Sequence, residues 1–254
     1  MLAAALLLCA GCAPRRPAPE KLTVAAAADL QFAMADVSRQ FHAAHPQVEL
    51  QIVYGSSGNF YAQIRNGAPF DLFLSADLEY PRQLAAQGLA APDSLFTYAV
   101  GRLAVWVPAQ SALDVSRLQM KVFEDPAVKH VALANPAHAP YGRAAEAALR
   151  HFGVYDAIAS KLVLAENIAQ TLQFVQSGAA DVGVVALSLA VAPSVRPQGR
   201  YWEVPLDAYP RMWQGGAILK RARSSPAAAA FRAYLTGPAG RQILQQYGFS
   251  LPAN

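Results

Sequence analysis

From Leu22 onward the chain alternates short continuous apolar runs with stretches in which apolar residues return every three or four positions. The first run, Leu22 to Ala28 (LTVAAAA), reads as a strand buried on both faces. Leu30, Met34, Val37 and Phe41 then follow at helical spacing, so a helix starts near Asp29. Val48, Leu50 and Ile52 alternate as a second strand, and the turn Tyr54-Gly55-Ser56-Ser57-Gly58 opens a helix ending at Asn66-Gly67. Phe70 to Ala76 is a third strand, Asp77 an N-cap for the next helix and Gly88 its stop. The same alternation continues: strands over Arg102 to Val107, Val131 to Ala134, Lys161 to Ala165 and Val182 to Leu187, helices over Tyr141 to His151 and Ile168 to Gln176. A chain patterned in this way is constrained to an α/β fold with mostly parallel sheets. Its 254 residues suit one large domain or two lobes, and with 54% hydrophobic against 15% charged residues it is excluded from the disordered class.

Both cysteines, Cys9 and Cys12, precede this body, which therefore holds no disulfide and no Cys-ligated metal. Met1 to Ala10 is almost wholly apolar and too short for a permanent membrane span, as in the core of a secretory signal. Leu8-Cys9-Ala10-Gly11-Cys12 resembles a bacterial lipobox, with Cys12 as the lipidated residue, although Cys9 stands where Leu is usual. An ordinary cleaved signal is the alternative. Ala13 to Glu20 (APRRPAPE) then reads as an extended tether, so residues 1–20 are set apart from the fold.

The formal charge of +4 is local. From Arg196 onward eight basic residues face two acidic ones, against 13 and 15 before it, with no aromatic-basic platform. A solvated face explains this surplus, and no nucleic-acid partner is expected.

Ligands of open α/β sheets collect where strands end and helices present free N–H groups. Four junctions here share small or polar residues: Ala28-Asp29, Gly55 to Asn59, Ala139 to Gly142, and Glu166 to Ile168. The second is the most informative, because its glycines admit close backbone approach and its hydroxyls add donors, although taken alone it reads first as an ordinary polar turn with a helix cap. No Lys or His lies within these stretches, the nearest cations being Arg65 and Arg143. Neutral donors at several helix starts suit a small oxyanion held by hydrogen bonds. Competing chemistry is weak. The five histidines, His42, His45, His130, His138 and His151, lack metal-ligand spacing; GSSGN from Gly55 is no nucleophile elbow; Asp71 and Asp77 read as loop and cap residues. Trp106, Trp202 and Trp213 fall in apolar contexts and are assigned to the core.

The segments AAAADLQFAMADV from Ala25, YGSSGNFYAQIRNGAPFDLFLSAD from Tyr54, ANPAHAPYGRAAEAAL from Ala134 and ENIAQTLQFVQSG from Glu166 are similar to the periplasmic molybdate-binding proteins, in order and over Leu22 to Phe249. The resemblance implies the bilobal type II periplasmic-binding-protein fold, two mixed, mostly parallel sheets flanked by helices with the ligand between the lobes. Lobe 1 would take residues 21–101 and 213–254, and lobe 2 residues 102–212, with TGPAGRQILQQYGF from Thr236 closing back on lobe 1. It further implies an extracytoplasmic monomer that captures molybdate or tungstate and delivers it to the membrane permease of an ABC transporter, with no cofactor and no free cation site. A receptor for another oxyanion is the runner-up, and an enzyme on the same fold a more distant one. The carried-over ligand set is Asp29, Ser57, Tyr141 and Ile168, with Ala28 and Ser56 as further candidates.

Two positions depart from the family. Many members have Ser where Asp29 stands, and a carboxylate about 4 Å from a dianion costs roughly 8 kcal/mol at an effective dielectric near 20. Asp29 is therefore expected to turn away, cap its own helix and offer only its N–H. Ala186 occupies the place where some members present a Tyr hydroxyl.

Overall fold

The computed structural model describes residues 19–252. Cys12 and the leader before it lie outside the described residues. Two five-stranded sheets organise the rest. The first is assembled from β1 (Glu20–Ala27), β2 (Val48–Gly55), β3 (Leu72–Ser75) and β4 (Phe96–Gly101). The second holds β5 (Leu103–Pro108), β6 (Val131–Ala134), β7 (Leu162–Ala165), β8 (Val182–Ala186) and β9 (Gly199–Glu203). The chain then returns as β10 (Met212–Ile218), which inserts into the first sheet. The strand orders are β2-β1-β3-β10-β4 and β7-β6-β8-β5-β9.

The helices are α1 (Gln31–Ala44), α2 (Ser57–Arg65), α3 (Glu79–Ala86), α4 (Val115–Leu118), α5 (Pro140–His151), α6 (Tyr155–Ile158), α7 (Ile168–Gln176), α8 (Leu187–Ala190), α9 (Pro226–Thr236) and α10 (Pro238–Gln246). Among the described residues none is long and apolar enough to cross a membrane.

β1 lies between β2 and β3 in parallel register, and its second half, Val24–Ala27, is covered on both faces, which is why that half is continuously apolar. One face meets α1 through Leu30, Met34, Val37 and Phe41; the other packs Ala25 and Phe73 against Phe60 of α2 and Leu84 of α3. The last two helices close back on this lobe. Phe231 meets Phe41 edge-on at 5.2 Å, and the Tyr247 hydroxyl donates to Asp36.

Several boundaries and placements differ from the sequence expectations. Glu20 belongs to β1 and not to the tether: its N–H bonds the Gln47 carbonyl and its carboxylate accepts from Ser225. Met212, opposite Gly101, already belongs to the returning strand. The helix expected near Asp29 starts with a 3-10 turn, Ala28–Leu30, before α1. The strands β4, β9 and β10 are not among those expected from sequence, and they enter three of the four antiparallel pairs, the fourth being β5 with β8; the other four pairs are parallel. Trp106 is buried, but Trp202 is only half-buried and Trp213 is 38% exposed, its ring stacked beneath Arg211 instead of packed in a core. Asp71 and Asp77 do hold loops: Asp71 accepts from Thr23 N–H and pairs with Arg221, and Asp77 accepts from Tyr80 N–H at the start of α3.

Candidate ligand-binding cleft

Because β1, β2 and β3 run parallel side by side, their carboxyl ends share one edge of the first sheet. The starts of α5 and α7, which follow β6 and β7, face that edge from the second. Together they line a cavity of about 10 Å³, with Ala28, Asp29, Ser56 and Ser57 on one side and Tyr141 and Ile168 on the other. All six residues singled out from sequence in the body are thus brought to one place. A volume of that order holds about one water-sized group, so the closed space admits only a very small ligand.

Each donor is left available by a local feature of the chain. Ser57 begins α2, and its hydroxyl oxygen accepts from Ala76 N–H at 2.9 Å, which fixes the oxygen and leaves its own hydrogen to donate. Pro140 opens α5 without an N–H, so Tyr141 supplies the first amide of that helix, and no side chain caps it. Asn167 caps α7 by accepting from the Ala169 and Gln170 amides, each at 3.0 Å, and leaves the Ile168 N–H uncovered. Helix starts of this kind place partial positive charge toward the cavity without any formal cation.

Ser56 differs from the others. Its hydroxyl donates to the His138 carbonyl at 2.7 Å and is used in joining the lobes. Gly58 N–H donates to the same carbonyl at 2.9 Å, Asn59 donates to Glu166, and Arg143 pairs with Asp77 at 2.7 Å. These contacts hold the two lobes closed over the cavity. They also occupy the nearest cation, Arg143, so that no Lys, Arg or His side chain lines the space.

Asp29 is the only ionisable carboxyl in the lining, and the residue is 1% exposed. It caps no helix. Oδ2 instead accepts from the Tyr141 hydroxyl at 3.0 Å and from Gln214 Nε2 at 2.6 Å, while Oδ1 has no partner. Burial pushes its pKa up to about 6, with the Gln214 and Tyr141 hydrogen bonds pulling the other way. The Tyr141 phenol is raised well above its ordinary value, first by its own burial and then by Asp29.

Gln214 was missed from sequence. It is fully buried on β10, 185 residues from Asp29, and its only sequence signal is a lone amide within the apolar stretch MWQGGAI. Ala186 ends β8 without lining the cavity; its neighbour Ser188 donates to the Asp29 carbonyl at 2.8 Å. The histidines stay dispersed, and among the described residues no group of three or more His, Cys, Asp or Glu is placed to hold a metal ion.

A profile of the bacterial extracellular solute-binding proteins matches residues 22–250. The chain belongs to that family. Within the family, the molybdate-binding protein ModA of Azotobacter vinelandii is 39% identical over 252 residues, covering 98% of this chain and 95% of the relative. ModA of Rhodobacter capsulatus is 38% identical over 196 residues, 77% of this chain and 75% of that one. The solved structure of the Azotobacter vinelandii periplasmic molybdate-binding protein superposes with a TM-score of 0.85 at 34% identity, over 91% of this chain and all of that one. The bilobal α/β fold of the family's periplasmic binding proteins is therefore the fold of this chain.

Proposed function

We propose that this solute-binding protein captures molybdate, or the near-isosteric tungstate, outside the cytoplasm and presents it to the permease of an ABC importer. The observation that carries the reading is the lining of the cleft: amides and a hydroxyl from both lobes converge on a space for one small ion, with no cationic side chain among them. Donors of that type neutralise an oxyanion by hydrogen bonds, each worth more in a water-poor cleft than in solution. Because the donors come from both lobes, the ion stabilises the closed arrangement, and the closed form is what a permease would recognise. The likeness to molybdate-binding proteins, near full-length for that of Azotobacter vinelandii, supports the choice of ion.

Receptor rather than enzyme is the role this lining favours. The Ser57 hydroxyl is held by the Ala76 amide, and the Asp29 carboxyl in the same lining bonds Tyr141 and Gln214 and not Ser57, so no activated nucleophile is assembled. The protein works as a monomer without a cofactor, tethered through a lipid on Cys12. Mass spectrometry of the mature N-terminus tests the anchor: a diacylglyceryl mass on Cys12 supports it, and an unmodified terminus overturns it.

Thermal melting tests the ligand. Molybdate or tungstate at micromolar concentration should raise the Tm while sulfate does not. Equal shifts by sulfate, or no shift by any of the three, would overturn the reading.

A further inference from the structure

The two donors that hold the Asp29 carboxyl both reach the same oxygen. Tyr141 and Gln214 bond Oδ2, so Oδ1 is left over on a residue that lines the cavity, buried and without a partner. As a carboxylate, that oxygen can only accept, and an oxyanion has nothing to donate to it. A proton on Oδ1 removes the conflict. The carboxylic acid keeps Oδ2 as acceptor for Tyr141 and Gln214, and offers Oδ1–H to the ion.

We propose that Asp29 binds the oxyanion as a carboxylic acid, its Oδ1–H donating to one ligand oxygen, so that each dianion enters the cleft together with one proton from solution. The proposal rests on the oxyanion reading of the cleft. One O–H bond forms on Asp29, the proton comes from the buffer, and no electron moves. The net charge added to the buried site falls by one unit, which reconciles an acidic residue with an anionic cargo.

Among the titratable groups around the cleft, Asp29 and Tyr141 line it, and the His138 ring on the opposite lobe lies outside the lining, 3.0 Å from Ser56 Oγ. Tyr141 on α5 and Tyr98 on β4 face it, both phenols raised well above the ordinary value, chiefly by burial and then by the Asp29 charge. Neither α7 nor α8, packed on the Asp29 turn, carries a charged side chain. On β2 the nearest titratable group toward the cleft is Tyr54, pushed up to about 12 by burial, and Glu49 lies at the far end. On α1, Asp36 is engaged by Arg39 and Tyr247, and His42 contacts the Val48 carbonyl. Asp77 is paired with Arg143. The Asp29 carboxyl itself is already lifted to about 6 by burial in the ligand-free cleft, and a neighbouring dianion lifts it further.

Calorimetric titration of molybdate into the wild-type protein, in pairs of buffers that differ in ionisation enthalpy, counts the protons taken up. Uptake should approach about one per ion near pH 8 and fall toward about half near pH 6, as the free carboxyl becomes protonated beforehand. Asp29→Asn, whose amide can donate in place of the acid, should bind with no uptake and should gain affinity over wild type at pH 8 by tenfold or more. Binding by wild type without proton uptake overturns the proposal alone. Uptake that persists in Asp29→Asn puts the proton on the ion or on His138, beside Ser56, and also overturns it. Absence of molybdate binding at every pH overturns the receptor reading and the proposal with it.

Discussion

Gly101 lies directly against Tyr141: a methyl group at Gly101 would stand 2.6 Å from the Tyr141 hydroxyl oxygen and 2.8 Å from Gln214 Nε2. Gly101 ends β4, where the chain crosses to the second sheet, so the crossing point and the Asp29 hydrogen bonds occupy the same space. Gly101→Ala must displace either Tyr141 or Gln214. Overpacking of this kind costs about 1 to 3 kcal/mol. The expected outcome is a lower Tm by chemical or thermal unfolding together with weaker molybdate binding, and a variant that matches wild type in both would contradict the contact.

Gly58 has a similar role between the lobes. A methyl there would approach the His138 carbonyl oxygen to 2.5 Å, and that oxygen also accepts from Gly58 N–H and Ser56 Oγ–H. Since His138 stands on the opposite lobe and the only same-lobe atom met is the Tyr80 hydroxyl at 2.8 Å, the end of a side chain that can shift, Gly58→Ala strains the closed form more than the open one. Molybdate affinity should fall about tenfold or more, the equivalent of about 1.4 kcal/mol, while the ligand-free Tm stays close to wild type. Equal losses in both measurements would place the strain within one lobe instead.

Burial raises the Asp29 pKa to about 6 from the ordinary 3.8, so the folded protein holds this proton more tightly than the unfolded chain. The stabilisation is fully present below about 3.8 and is lost as pH rises through about 6. Above that range the buried charge destabilises the ligand-free protein by an amount on the order of 3 kcal/mol. Asp29→Asn removes this dependence. Its Tm advantage over wild type without ligand should grow between pH 4 and pH 7 and then level off; an advantage that does not change with pH would show that Asp29 is not buried as a carboxyl.

Ser57 combines two functions in one hydroxyl, accepting from Ala76 N–H and keeping its hydrogen for the cavity. Ser57→Ala leaves the Ala76 amide without its partner and deletes a ligand donor. Each loss is worth about 1 to 3 kcal/mol in a buried setting, so molybdate affinity should drop at least tenfold and the ligand-free Tm should also fall. A variant that loses affinity with no change in Tm would show that the Ala76 bond contributes little.

Much of the cleft was legible because its parts are local. The double-faced burial of Val24 to Ala27, the Gly-Ser turn into α2, and Pro140 and Asn167 at the starts of α5 and α7 are all set by a few neighbouring residues. The unread parts were not local. The antiparallel strand β10 takes its place between β3 and β4 only after the second lobe has been completed, and Gln214 comes with it. The side-chain direction of Asp29 depended on that arrival: with Gln214 and Tyr141 on its flank, the carboxyl binds them and caps nothing. Ser56 was likewise diverted by His138, 82 residues away.

By itself, then, the sequence determined the α/β alternation, the strand-to-helix junctions that form the cleft and the neutral character of their donors, because periodicity, caps and turns act over a few residues. Only the tertiary structure decided which donors stay free, which are used to join the lobes, and that an acidic side chain stands in an anion site with one oxygen bare. Those outcomes depend on contacts between segments up to 185 residues apart, where the partner of a polar group is chosen by packing and not by its neighbours in the chain.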